Sequence, residues 1–307
     1  MSDLSLPETL LSPPPGVHAR ELAESATLAA VMYGVPPEHD DVVDPALLRS
    51  TLAGQPLTEL SAVDSDGEGE HTVRFPLVAT DASFLGAMFS IPLEQAWALL
   101  PATERLVPVR ATPRRAAASF FAWDVRRGGL GRYRQIGVAI PVVLDAAKPP
   151  SPAPPGNWRD PAIGLYAVEL PVDDERVARM GAALSGLPHV VGQADVAVDL
   201  RGGHAGFSLD GEPMARPEVR LGRWARHRRL DLSFQAYSLL GGRIVRQRYV
   251  AVGDGYRGRR GEAELSFGEH RRAQRLARLE LSRRPLEVRA LPRVNWISSP
   301  PEDLGAI

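Results

Sequence analysis

The sequence has no cysteine and only one lysine, and both features limit the chemistry available to the protein. Without cysteine there are no disulfides, no thiolate nucleophile and no thiolate-bound metal. Lys148 is the only lysine, so the other 35 of the 36 basic residues are arginines. It lies in residues 146–162 (AAKPPSPAPPGNWRDPA), a proline-rich stretch that predicts an extended surface loop. A hydrated lysine in such a loop stays cationic, so it is not a credible amine nucleophile.

Long hydrophobic runs and a basic N-terminus are also missing. The longest apolar run is far shorter than the roughly 20 residues of a membrane-spanning helix, and MSDLSLPETL lacks the basic start of a signal peptide. We therefore expect a cytoplasmic protein without a membrane partner. The seven histidines show neither HxH nor HExxH spacing, and no P-loop, GxSxG or dinucleotide-binding motif occurs. The sequence thus predicts neither a metal site nor a cofactor.

Charge is unevenly distributed although the net charge is only −1. Residues 1–80 hold 13 acidic residues and 3 arginines, whereas residues 216–293 hold 20 arginines and 8 acidic residues. This pattern fits either an acidic segment that contacts a basic domain or an anion-binding surface. The run Arg223–Arg229 (RWARHRR) resembles a nucleic-acid patch, but the overall pI is about 6.7. Such arginines are more typical of a strand edge, so we do not expect nucleic-acid binding.

The pattern of residues divides the chain into three parts. The composition of residues 1–70 predicts an N-terminal extension. The extension is expected to contain short helices near 19–33 and 45–48 and an acidic linker over 61–70. Residues 71–296 predict the principal domain, an α+β fold rich in β-strands with a few short helices. Within it, the glycine-rich run 253–261 predicts a connection between two strands. Residues 297–307 predict a C-terminal tail.

The most informative stretch runs from Gly128 to Asp199. A glycine turn leads into an apolar, β-branched run around Ile140, which predicts a buried strand. A second strand over 165–170 is followed by an acidic turn and a short helix that ends at Gly186-Leu187-Pro188. A further strand over 195–200 completes the stretch.

This order of parts resembles the acetoacetate decarboxylase family. In that family a GLG-x-Y-x-E-x-G-x-x-IPV strand is followed by a second strand and by a G-x-x-x-S-x-x-P-K turn that carries the catalytic lysine. The matching positions are Gly129-Leu130-Gly131, Tyr133, Gly137, Ile140-Pro141-Val142, Gly181, Ser185 and Pro188. A weaker likeness covers roughly residues 71–296. The resemblance implies a β-barrel or cone of mostly antiparallel strands that assembles as a homo-oligomer.

Two positions depart from the family pattern where its chemistry lies. Gln135 stands where the family has its active-site glutamate, and His189 stands where it has the lysine. Val190 occupies the place of a second lysine. An imidazole does not condense with a ketone to a stable imine, and no lysine lies nearby to replace it. The resemblance therefore implies an inherited cavity without imine-based decarboxylation.

The altered positions still suggest possible roles. The free pKa of histidine, roughly 6.5, would suit His189 as a general acid or base. Gln135 cannot exchange a proton, but its amide can orient a carbonyl or hydroxyl group. Both residues can equally be structural. The other candidates for the pocket wall are Arg132, Tyr133, Arg134 and Pro188.

Three functions remain open at this point. The first is binding of a small keto or polyketide-like molecule in the family pocket, without decarboxylation. The second is a lyase, dehydratase or cyclase that uses His189 in acid–base catalysis. The third is an interaction module with a vestigial pocket. The family's carboxylate-binding arginine has no counterpart near Ala82, which argues against a small keto acid as the ligand.

Overall fold

A computed structural model describes residues 58–63, 70–147, 163–222, 225–259 and 261–307. The two helices predicted in the N-terminal extension, the loop lysine Lys148 and part of the RWARHRR run lie outside these residues. The three-part division of the chain stays a prediction.

The described residues form eighteen strands and three short helices. In chain order these are β1 Thr58–Val63, β2 Glu70–Phe75, β3 Leu77–Pro92, α1 Leu93–Leu99, β4 Leu106–Pro108, β5 Arg110–Thr112, β6 Arg115–Gly128, β7 Tyr133–Leu144, β8 Ile163–Val172, α2 Glu175–Ser185, β9 His189–Val191, β10 Gln193–Asp199, β11 Gly202–Leu209, β12 Glu212–Leu221, β13 Arg228–Asp231, β14 Phe234–Leu240, β15 Arg243–Gly258, β16 Gly261–Phe267, α3 Arg271–Ala277, β17 Glu287–Ser298 and β18 Glu302–Ala306.

Most strands belong to one large twisted sheet of twelve strands. Its neighbours run in the order β4-β7-β6-β3-β17-β15-β14-β8-β9, with β5, β13 and β18 attached beside this path. Strand β8 pairs in parallel with β14 and β9 and antiparallel with β7, so the path of pairings from β7 through β8 returns to its start. Strands β10, β11, β12 and β16 form a separate antiparallel sheet, and β1 pairs with β2.

Strand β3 shows how the large sheet is buried on both faces. Of its 16 residues only Leu77 and Asp81 are partly exposed, as expected for a strand that is covered on each side. Alternate side chains enter different hydrophobic clusters. Phe89 packs in the cluster that holds Phe207 of the four-stranded sheet. On the opposite face, the ring centroids of Phe84 and Trp123 lie 4.6 Å apart, and both residues belong to a second, aromatic-rich cluster.

Several expectations from the sequence are refined by these elements. The connection predicted at 253–261 is wrong for most of its length, because β15 continues to Gly258 and β16 begins at Gly261. At Gly255 a Cβ atom would lie 2.2 Å from the carbonyl oxygen of Ala290, so this glycine serves a close approach between strands rather than a turn. The predicted tail contains β18, which pairs with β15. No helix in the described ranges is long and apolar enough to span a membrane.

Candidate functional site

Helix α2 and the turn after it place His189 on the large sheet. The Asp174 side chain accepts a hydrogen bond from the backbone N–H of Val177 at 3.0 Å and so caps the helix start. Gly186 ends the helix with a left-handed φ of 62°, where a Cβ atom would lie 2.0 Å from the carbonyl oxygen of Leu239. The chain then extends into β9, where His189 pairs with Leu170 of β8.

A cavity lies between α2 and the large sheet. Its volume, counted as the space open to the centre of a water molecule, is about 110 Å³, enough for a small organic molecule. Helix α2 lines it with Val177, Met180, Gly181 and Leu184, whose spacing puts them on one helical face. The rest of the wall is Val73, Phe75, Leu77, Phe121, Trp123, Leu130, Tyr133, Gln135, Ala139, Leu165, Ala167, Leu170, Ser185, Leu187, His189, Phe234, Ala236, Gln247, Tyr249 and Trp296.

The cavity wall includes the imidazole ring of His189. Both ring nitrogens are shielded from solvent, and neither makes a hydrogen bond of normal geometry among the described residues, although the ring lies near the backbone of Ala178. Burial lowers the pKa of His189 to about 4, and a contact with the backbone of Ala178 offsets only part of this fall. The imidazole is therefore neutral at physiological pH, with one N–H donor and one acceptor nitrogen available. A Cβ atom on Gly181 would lie 2.4 Å from its Nδ1 atom, so the glycine makes room for the ring.

Gln135 reaches the same cavity from β7. It pairs with Val172 of β8, while His189 on β9 pairs with Leu170, so β8 separates the two backbones. The Gln135 side chain has no hydrogen bond within the described part of the chain, and it lines the cavity with Tyr133, two positions earlier on the same face of β7. The site thus offers an amide and an imidazole on an otherwise largely apolar wall.

The remaining predicted pocket residues do not line this cavity. Arg132 is exposed, and Pro188 accepts a backbone hydrogen bond from Leu170 at 3.2 Å. Arg134 points to the other face of β7, where it forms an ion pair with Asp124 at 3.4 Å and donates to the carbonyl oxygen of Ala194 at 3.2 Å. A binding role for these three residues stays a prediction.

Solved structures place this architecture among known folds. An acetoacetate decarboxylase structure aligns with 75% of this chain and 90% of its own, at 15% identity and a TM-score of 0.56. The enzyme from Legionella pneumophila aligns with 75% of this chain and 88% of its own, at 11% identity and a TM-score of 0.55. The chain has the acetoacetate decarboxylase fold.

A third neighbour with this fold is the enduracididine biosynthesis enzyme MppR complexed with pyruvate. It aligns with 79% of this chain and 95% of its own, at 13% identity and a TM-score of 0.51. No protein-family model matches the sequence, and no curated protein is significantly similar to it. At such identities the likeness establishes the acetoacetate decarboxylase fold alone.

Three cavity residues carry no signal in the sequence motif. Gln247, Tyr249 and Trp296 come from β15 and β17, far along the chain from the GLG motif. The Tyr249 hydroxyl donates to the Gln247 side-chain oxygen at 3.1 Å, and the Gln247 nitrogen donates to the Ser298 hydroxyl at 3.2 Å. Alternation in RQRYV places Gln247 and Tyr249 on one face, but it does not say which face meets a cavity.

The wall has no charged side chain at neutral pH. Burial strongly raises the pKa of the Tyr133 hydroxyl, and it also raises that of Tyr249, so both stay protonated. Among the described residues no group of three or more histidine and acidic side chains is arranged to hold a metal ion. The cavity is therefore suited to an uncharged ligand that offers hydrogen-bonding oxygen atoms.

Proposed function

We propose that the cavity binds a small, uncharged, oxygenated organic molecule of the keto or polyketide-like class. The observation that carries this proposal is the pair of buried ring nitrogens of His189, neither of which makes a hydrogen bond of normal geometry in the described chain. Buried polar atoms in proteins are nearly always hydrogen-bonded, so an orphaned pair beside a cavity favours a ligand that supplies the missing partners. A carbonyl or hydroxyl oxygen fits the N–H group of the neutral ring.

The proposed binding does not involve an imine. His189 occupies the position of the family's lysine, and the sequence holds no lysine except Lys148. The ligand is instead held by hydrogen bonds from His189 and from the amide of Gln135, with its carbon skeleton against the apolar wall. A neighbour with this fold, MppR, is complexed with pyruvate. This supports an oxo group in the ligand, but pyruvate, unlike the proposed ligand, carries a negative charge.

Acid–base catalysis by His189 is the second candidate function, as a lyase, dehydratase or cyclase. It is favoured by the presence of His189 and Gln135 in one cavity of a fold shared with enzymes. The pKa of about 4 works against it, because only about one ring in a thousand is protonated at pH 7 and the neutral ring is a weak base. We therefore rank binding first.

We further propose that strands β7, β6, β3, β17, β15, β14 and β8 close into a barrel. The pairing of β8 with both β14 and β7 supports closure, since it leaves no free edge along this path. Assembly as a homo-oligomer and a cytoplasmic location stay predictions.

Calorimetric titration with an uncharged diketone, 2,4-pentanedione, tests the binding proposal. We expect the wild-type protein to bind it, and His189→Ala to bind it about 5- to 10-fold more weakly through the loss of a hydrogen bond. Arg132→Gln is the matched control, because Arg132 is exposed outside the cavity wall. Equal affinity in the wild type and His189→Ala would contradict the proposal. Turnover of the diketone that is lost in His189→Ala would favour the catalytic alternative.

A further inference from the structure

Two tyrosine hydroxyls form a second polar region in the cavity between α2 and the large sheet. Tyr133 on β7 and Tyr249 on β15 both line this cavity, and they pack in the same hydrophobic cluster. Burial raises the pKa of Tyr133, and the neighbouring Tyr249 hydroxyl raises it further, so the two hydroxyls are near each other. Tyr133 is only 7% exposed, yet its hydroxyl makes no hydrogen bond within the described part of the chain. Its donor is therefore available to a ligand.

Neighbouring aromatic rings fix the position of the Tyr249 side chain. The Phe234 ring on β14 stacks on it, with ring centroids 4.8 Å apart and an interplanar angle of 4°. The Trp296 ring on β17 lies against it at a centroid distance of 5.7 Å. Because three adjacent strands hold these rings, the main freedom left to the Tyr249 hydroxyl is the direction of its O–H bond.

The Gln247 side chain determines that direction. Its nitrogen donates to the Ser298 hydroxyl and to the carbonyl oxygen of Ser299, both at 3.2 Å. A backbone carbonyl only accepts hydrogen bonds, so the amide nitrogen faces Ser299 and the amide oxygen faces Tyr249. The Tyr249 hydroxyl therefore donates its proton to Gln247, at an oxygen–oxygen distance of 3.1 Å. Turning the proton away would leave the oxygen of Gln247, a buried residue, without this donor, which is unfavourable.

The two tyrosines consequently offer different groups to a ligand. Tyr249 has used its only proton, so towards the cavity it can only accept a hydrogen bond. Tyr133 stays protonated and can donate one. A single ligand atom satisfies both residues if it donates and accepts at once, as the oxygen of an alcohol does. A carbonyl oxygen only accepts, so it would face the lone pairs of Tyr249. The pair favours a hydroxyl over a carbonyl.

We propose that Tyr133 and Tyr249 form a subsite for a hydroxyl group, so that the cavity binds a hydroxy ketone in preference to a diketone. The ligand hydroxyl donates to the Tyr249 oxygen and accepts from the Tyr133 hydroxyl. The ligand carbonyl accepts from His189 or Gln135. This inference rests on the function proposed above, because it assigns the second functional group of the same ligand. A few polar groups on an apolar wall are the usual source of such selectivity.

Calorimetric titration with 4-hydroxy-2-pentanone and 2,4-pentanedione compares both groups on one carbon skeleton. The enol proton of the diketone is bonded internally, so neither of its forms offers a free O–H group. We expect the better-binding enantiomer of the hydroxy ketone to bind about tenfold more tightly than the diketone. Tyr249→Phe keeps the ring but removes the acceptor, so it should abolish this preference without weakening the diketone. Tyr166→Phe, which removes a hydroxyl outside the cavity wall, should change neither affinity.

Gln247→Met distinguishes a specific effect from a general loosening of the cavity. The variant removes the acceptor of the Tyr249 proton, so the hydroxyl becomes free to donate to a ligand. We expect the diketone to bind more tightly and the preference for the hydroxy ketone to shrink. Weaker binding of both compounds would contradict the direction assigned to the Tyr249 hydrogen bond.

The wild-type protein separates the two levels of the proposal. Binding of neither compound would contradict the proposed function together with the hydroxyl subsite. Equal affinity for both compounds, or a preference that survives in Tyr249→Phe, would overturn the subsite alone. A water molecule, rather than the ligand, would then join the two tyrosines.

Discussion

Because its ring nitrogens are buried, His189 makes the free energy of unfolding depend on pH. Its pKa is about 4 in the folded protein, against an ordinary value of 6.5. Between these values the unfolded chain binds a proton that the folded protein does not, so acidification favours unfolding. We expect His189 to lower the free energy of unfolding by up to about 3 kcal/mol as the pH falls from 6.5 to 4. Above pH 6.5 the effect is absent.

Urea unfolding at pH 7 and pH 4.5 measures this contribution. His189→Gln should lose less stability on acidification than the wild type, because the variant has no imidazole to protonate at this position. His227→Gln is the control, since His227 is exposed and remains hydrated in both states. If His189→Gln and the wild type lose the same stability between the two pH values, His189 is not the buried titrating group.

Gly181 controls the position of the same imidazole. Alanine in the interior of a helix is ordinarily more favourable than glycine by roughly 0.5–1 kcal/mol. Here the added Cβ atom would lie 2.3 Å from the His189 Cε1 atom, so the ring must move into the cavity. We expect Gly181→Ala to reduce 2,4-pentanedione affinity in calorimetry. Gly206→Ala, whose Cβ atom would meet nothing within 4 Å, should leave it unchanged; equal affinities in both variants would refute this role of Gly181.

The sequence predicts part of this site because two of its residues lie in a recognisable motif. Gln135 and His189 occupy motif positions, and both line the same cavity, although their roles are still predictions. Two other polar residues of the cavity wall, Gln247 and Tyr249, lie on β15, more than 100 residues further along the chain than Gln135. Periodicity within a strand says which residues share a face, but the closing of distant strands decides which face meets a cavity.

At the level of elements, the end of helix α2 depends on a glycine in two separate ways. Gly186 has a left-handed φ, which costs roughly 1–2 kcal/mol for a residue with a side chain. Its Cβ atom would also lie 2.0 Å from the backbone oxygen of Leu239. Gly242, in the turn between β14 and β15, shares the positive φ, but a Cβ atom there meets nothing within 4 Å. The two positions separate conformational strain from steric overlap.

Paired alanine substitutions exploit this difference. We expect Gly242→Ala to lower the free energy of unfolding by about 1–2 kcal/mol, the cost of the backbone conformation alone. Gly186→Ala should cost clearly more, because β14 or α2 must also shift. Urea unfolding of both variants gives the comparison. Similar losses in the two variants would mean that the helix end moves freely away from β14.

Glycine and proline also explain which elements the sequence predicts well. The end of α2 before Gly186-Leu187-Pro188 is confirmed, because a left-handed glycine and a following proline end helices for local reasons. The parallel pairing of β8 with β14 and β9 has no local signature at all. It results from the packing of the whole sheet, which a single sequence does not display.

At the scale of the whole molecule, the fold and the chemistry are separable. The fold is shared with acetoacetate decarboxylases at 15% identity or less in the solved structures compared, so many different side chains produce this architecture. The wall of the cavity between α2 and the large sheet is largely apolar and uncharged. A primary amine placed there would be desolvated, which lowers the pKa of a lysine and favours the neutral, nucleophilic form. The cavity could therefore support imine formation if it contained a lysine.

Borohydride trapping with acetoacetate tests whether the cavity supports imine formation once it contains an amine. We expect no mass increase for the wild-type protein, because position 189 carries an imidazole and Lys148 is the only lysine. The substitution His189→Lys should yield a covalent adduct. Adding Lys148→Arg in the same chain should leave the adduct in place, because position 189 then carries the only side-chain amine, and peptide mapping separates it from the N-terminal amine. An adduct on the wild-type protein that disappears in Lys148→Arg alone would show that Lys148 is reactive. It would overturn the proposal of non-covalent binding.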